Sequence, residues 1–177
     1  MADFNQVLTP GDYQNGVVNT VVEIPEGSNL KIEWDRKRAA FKLDRIEPAI
    51  FAKPCNYGFI PQTLDEDGDE LDTLIVCNSP LVTGIWLEAK IVGVMKFVDD
   101  GEVDDKIIVV PSDNRDEGDR MISIDDNPTL KRQLEHHFSH YKDLKKPGST
   151  EIVGWGDAEE AKKIIAECIE RYNNRTE

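Results

Sequence analysis

The sequence predicts an α+β fold in which an antiparallel barrel or sheet is covered by helices. Three observations predict it: β-type runs fill the first two-thirds of the 177 residues, helical runs fill the last third, and no βαβ alternation links them. Length, with no internal repeat, low-complexity tract or linker, favours one domain over 1–177.

The first strand is expected at 17–24, VVNTVVEI, dense in β-branched residues and stopped by Pro25. In the next run, 30–34, alternation sets Leu30, Ile32 and Trp34 on one face and Lys31 and Glu33 on the other. The β pattern continues at 73–77, 84–98 and 106–110. The run from 84 to 98 is long for one strand, so a bend or bulge is expected near Gly93. Asn127 and Pro128 form a helix start, after which Leu130, Leu134, Phe138 and Tyr141 recur at helical spacing. Near the end, Asp157 and Glu160 resemble a capping box. The stripe Ala161, Ile164, Ile165, Cys168, Ile169 and Tyr172 follows on one helix face.

A net charge of −14 opposes binding to nucleic acid or anionic membranes, which leans on Lys and Arg. No segment has the roughly 18 apolar residues of a membrane span, and MADFNQVLTP lacks the basic-then-apolar pattern of a secretory signal. Cys55, Cys77 and Cys168 are odd in number and not in a CxxC pair, which points to free thiols and a cytoplasmic location.

Acidic charge is concentrated in two loops. Segment 65–72 reads DEDGDELD, and a second group holds Asp99, Asp100, Glu102, Asp104 and Asp105 before Lys106. Carboxylates this dense repel one another unless cations sit among them. For the first loop, an Asp-Gly hairpin turn is one reading. An EF-hand is a second: Asp65, Asp67 and Asp69 have its 1, 3, 5 spacing, but position six is Glu70 instead of Gly and position twelve is Val76 instead of Glu. A magnesium site for phosphoryl chemistry is the third, since that ion takes oxygen ligands. Lys31, Arg45, Tyr57, Tyr141 and Lys142 favour the third, because with the two acidic loops they complete the parts for a phosphate anion bridged to metal.

The chain closely resembles the family I soluble inorganic pyrophosphatases of bacterial type. The central motif of that family, D-G-D-P-x-D, is matched by DGDELD at 67–72. Further matches are EIP at 23–25, LKIEWD at 30–35, LDR at 43–45, PCNYGFIPQTL at 54–64, GVMKFVDDGEVDDK at 93–106, HHFSHYKDLK at 136–145 and VGWGDAEEAKKII at 153–165. The resemblance implies a five-stranded OB-like antiparallel β-barrel flanked by helices, one of them C-terminal. It also implies hydrolysis of diphosphate to two phosphates with several Mg2+ ions per site. Asp67, Asp72, Asp99 and Asp104 would then be metal ligands and Glu23 a further, mostly water-mediated, metal contact. Asp69 would be the proton acceptor. Lys31, Arg45, Tyr57 and Tyr141 would contact diphosphate, with Lys106 and Lys142 as supporting charges and Glu33 and Asp100 as supporting acids. A homohexamer of paired trimers is implied too, with His136, His137 and His140 near subunit contacts.

Some positions depart from the family's usual pattern. Lys53 stands where tyrosine is common near the phosphate site, Glu70 replaces proline, Thr73 replaces an apolar residue, Asp100 takes the place of glutamate, and Glu117 aligns near a usual lysine. Two rivals remain at this point. One is a noncatalytic divalent-cation binder on the same scaffold. The other is an OB-type nucleic-acid module, which would need a basic groove with exposed aromatics.

Overall fold

The computed structural model describes residues 3–116 and 121–175. Its strands are β1 (Val17–Ile24), β2 (Leu30–Asp35), β3 (Ala40–Ile46), β4 (Asn56–Phe59), β5 (Asp72–Ile75), β6 (Trp86–Asp99), β7 (Glu102–Val103), β8 (Lys106–Pro111) and β9 (Thr150–Gly156). Helices are α1 (Phe4–Val7), α2 (Pro128–His140) and α3 (Ala158–Asn174). No helix among the described residues is long and apolar enough to cross a membrane.

β1, β4, β5, β8 and β6 pair in that order, and β6 pairs back onto β1, so five strands close into a ring. β7 and β9 extend β6, while β2 and β3 form a separate hairpin. The expected antiparallel arrangement holds for every pair in the ring except β5 with β8, which are parallel. β6 spans the long run and shifts register between Ile91 and Gly93, and again between Lys96 and Phe97. Gly93 suits this break because a Cβ there would sit 2.9 Å from the Gly156 carbonyl oxygen.

Both faces of the ring strands are apolar, so the core divides in two with period 2. In β8, Ile108 and Val110 join the cluster under Leu130, Leu134 and Phe138 of α2. Ile107 and Val109 join the cluster under Ala161, Ile165 and Cys168 of α3. Phe4 of α1 packs with Trp34, Val21 and Phe59 in a third cluster. Alternation in β2 is less clean than the sequence suggests: Trp34 is buried, yet Leu30 is exposed and Lys31 and Glu33 are half-buried.

The helix ends follow the expected chemistry, with one difference. Asn127 accepts from Leu130 N–H at 3.0 Å at the start of α2, and Asp157 accepts from Glu160 N–H at 2.9 Å at the start of α3. The Glu160 carboxylate pairs with Lys96 on β6, so here it ties α3 to the sheet.

Candidate active site

The parallel pair decides where the chemistry collects. Asp72 is the register partner of Lys106, and each opens its strand directly after an acidic segment. Parallel strands begin at the same end, so acids far apart in sequence meet at one mouth. β6 runs antiparallel to β8 and ends there with Asp99, and the end of α2 delivers Tyr141 and Lys142. The resulting cavity has a volume of about 240 Å³. That is below the roughly 300–1,000 Å³ of drug-sized sites and suits a small ion.

Of the fourteen residues expected at the site from the sequence, thirteen line this cavity, and Asp100 does not. Asp100, in a left-handed turn at φ 53°, bonds Lys146 at 2.6 Å and faces a neighbouring groove. Tyr57 O–H donates to Asp72, and Tyr141 O–H donates to Asp99 Oδ2 at 2.7 Å. Lys142 pairs with Asp99, Arg45 pairs with Asp44 and Glu47, and Lys31 lies 3.5 Å from Glu33. Glu23 is buried and accepts from Trp34 N–H at 2.6 Å.

Lys106 is the centre of the charge arrangement. It is 2% exposed, and its Nζ donates to Asp72 Oδ2 and Asp104 Oδ1 at 2.7 Å each. Burial would lower its pKa, but Asp72 and Asp104 overcome that and raise it. One ammonium cannot neutralise two half-buried carboxylates. Burial would also raise Asp72, but Lys106 and Lys31 hold it below its ordinary value. Asp104 goes up, through burial and the Asp72 charge, despite Lys106. Glu23 and Asp69 shift upward as well. Burial pushes Glu23 to about 8, and partial loss of hydration at the cavity, with Asp67, Glu70 and Asp72 nearby, pushes Asp69 to about 6 although the residue is exposed.

These groups offer oxygen alone as a donor, which suits a hard divalent cation. Among the described residues, no three acidic, His or Cys side chains are already gathered about a common point. Magnesium tolerates that, because it keeps several waters and needs only one or two carboxylates. The raised acids and the ammonium bound between Asp72 and Asp104 both mark a place short of positive charge. The residues present therefore fit such an ion.

A family model described as inorganic pyrophosphatase matches residues 20–173. The inorganic pyrophosphatase of Neisseria meningitidis serogroup B is 66% identical over 176 residues, covering 99% of each chain. The chain belongs to the inorganic pyrophosphatase family. The Haemophilus influenzae inorganic pyrophosphatase is also 66% identical, over 99% of this chain and all of that one. Among solved structures in the family, one from Neisseria gonorrhoeae superposes with a TM-score of 0.96 at 66% identity, covering 97% of this chain and 100% of its own. One from Thermus thermophilus gives 0.86 at 38% identity, covering 94% and 97%.

Against that family background, the departures have physical partners in this chain. Glu70, buried, accepts from Asn5 Nδ2 and from Arg36 Nε, both at 2.7 Å, and so ties the acidic turn to α1 and to the β2–β3 turn. Gly68 takes φ 93° in that turn, a conformation that glycine adopts without strain. Removing Arg36 would leave Glu70 as a buried charge with Asn5 alone. Arg36→Ala is therefore expected to cost about 3 kcal/mol of unfolding free energy, as read by denaturant melts. Thr73 is fully buried, but its hydroxyl meets that of Thr20 at 2.6 Å, so neither is an orphan. Glu117 lies outside the described residues.

Sequence reasoning missed Glu70 as a lining residue, and put Lys53 near the phosphate site by resemblance without giving it a role there. No spacing rule aims Lys53 inward. For Glu70 the partners are 65 and 34 residues away, beyond the reach of local pattern. The histidines of α2 separate as well. His136 and His140 stack at 4.7 Å, whereas half-buried His137, whose Nε2 has no hydrogen-bond partner among the described residues, is pushed down to about 3 by burial, Lys53 and His136.

Proposed function

We propose that this chain is a cytoplasmic, magnesium-dependent inorganic diphosphatase that acts as one domain and hydrolyses diphosphate to two orthophosphates. The observation that carries the reading is the meeting of Asp67, Asp69, Asp72, Asp99 and Asp104 with Lys31, Arg45, Lys106, Lys142, Tyr57 and Tyr141 in one small cavity. A cation binder would explain the acids and leave the cationic and phenolic donors without a task.

Asp67, Asp72, Asp99 and Asp104 would hold magnesium, with Glu23 as a more remote contact and Glu33 supporting. Bound there, the ions would neutralise phosphate charge and acidify water for attack. The reaction adds water across P–O–P, so one proton must leave the attacking water and the departing phosphate must be held. Asp69 is the proposed acceptor: it stands at the cavity mouth, and its carboxyl makes no hydrogen bond among the described residues. Arg45 offers a planar fork for two phosphate oxygens, which a lysine cannot. Lys31, Lys142, Tyr57 and Tyr141 would orient the remaining oxygens, and Lys106 would steady Asp72 and Asp104.

Colorimetric phosphate release from diphosphate, with and without magnesium, tests the activity. Release is expected with the ion and should cease on chelation. In parallel, magnesium at about 100 times its Kd should stabilise the fold by about 2.7 kcal/mol, seen as a raised Tm. An unchanged Tm together with no phosphate release would end the reading.

A homohexamer of paired trimers is part of the proposal. It is supported by an apolar groove lined by Ile50, Phe51, His136, His137 and His140, with Ile50 80% exposed.

A further inference from the structure

Five cationic side chains line the cavity, and four of them already face carboxylates. Lys106 is held by Asp72 and Asp104, Lys142 by Asp99, Arg45 by Asp44 and Glu47, and Lys31 lies near Glu33. Lys53 is different. Among the described residues its Nζ makes no hydrogen bond and no ion pair; it lies over three aromatic rings instead. The centroids are 4.9 Å away for Tyr57, 5.2 Å for Tyr141 and 5.4 Å for Phe138.

The backbone fixes this placement. Lys53 N–H donates to the Ser28 carbonyl and Gly27 N–H donates to the Lys53 carbonyl, each at 2.9 Å, and Pro54 restrains the next step of the chain. Ring faces attract an ammonium without neutralising it, whereas a carboxylate cancels its charge. No carboxylate among the described residues is paired with Lys53, so it is left to meet an incoming anion. Burial, with Lys31 and Lys106 nearby, pulls its pKa down to about 7, and a bound oxyanion would favour its charged form.

We propose that Lys53 is a phosphate-contacting residue of this site, poised on the rings of Tyr57, Phe138 and Tyr141 to grip an oxygen of diphosphate that the paired cations leave free. The proposal rests on the diphosphatase reading. The contact is made with bound anion as well as during reaction, so its loss should show first in affinity. A charge-assisted hydrogen bond of this kind is worth about tenfold in binding or more.

The test measures binding of methylenediphosphonate, a non-hydrolysable diphosphate analogue, by calorimetry in saturating magnesium, alongside diphosphate kinetics. In Lys53→Met, analogue affinity should fall about tenfold and KM should rise by a similar factor, with kcat within about threefold of the parent. Lys53→Arg should keep most of the affinity. The magnesium concentration for half-maximal rate should stay the same in both. If Lys53→Met does not fold, Lys53→Gln, uncharged but polar, carries the same expectation. A folded, uncharged variant that binds the analogue as tightly as the parent overturns the assignment of Lys53. A parent chain that releases no phosphate from diphosphate overturns the reading beneath it instead.

Discussion

Asp69→Asn should lower kcat by about 10²–10⁴, with the magnesium dependence of the rate and the fold nearly unchanged. The carboxylate is exposed and accepts no hydrogen bond among the described residues, so amidation breaks no contact. The loop is held by other groups: Asp69 N–H donates to Asp67 Oδ1 at 3.0 Å, and Asp65 N–H donates to the Asp69 carbonyl at 2.7 Å. Asparagine keeps both backbone bonds and the side-chain shape and loses the ability to take up a proton. Steady-state rates at several magnesium concentrations, with a thermal melt of each protein, separate these effects. Turnover equal to the parent would remove Asp69 from the role of proton acceptor.

Asp72→Ala should fail differently. Asp72 is where Tyr57 O–H and Lys106 Nζ meet, so its removal strips one of the two carboxylates from a buried ammonium and leaves a phenol unpaired. Half-maximal activation should then require at least about tenfold more magnesium, and the fold should lose about 1–3 kcal/mol. Residual activity that rises with added magnesium would mark a ligand role; an unchanged activation midpoint would refute it. Comparison with Asp69→Asn is informative because the two acids are three residues apart, one in the turn and one at the start of β5, and are expected to act on different quantities.

Much of this was legible in the sequence wherever the determinant is local. β1, α2 and α3 follow from β-branched density, caps and helical periodicity, and the break in β6 follows from a glycine inside a run too long for one straight strand. The acidic loops could be placed between strands from the sequence, whereas the cations that face them were tied to the site by residue type and by the family resemblance. Non-local features were not legible. Parallel pairing of β5 with β8 depends on which strand ends lie side by side, and alternation in either strand says nothing about its neighbour's direction. β9 went unassigned because its run TEIVGWG carries two glycines. Asp100 is expected from the sequence as a supporting acid beside Asp99, yet a left-handed turn sends it to Lys146. Lys53 and Glu70 stood out only as unusual residues, and their meaning required three rings in one case and Asn5 with Arg36 in the other.

The side-by-side starts of β5 and β8 also bear on how the protein reaches its working state. Tyr57, Asp72, Asp104 and Lys106 become neighbours only after a long intervening stretch of chain has folded back, and the circle of strands shuts through contacts between residues 17–21 and 86–90. Such distant pairings are slow to find and come at a loop-closure cost. A nascent or partly unfolded chain thus has the acids but not their arrangement, and the capacity to capture metal and anion switches on with completion of the tertiary structure.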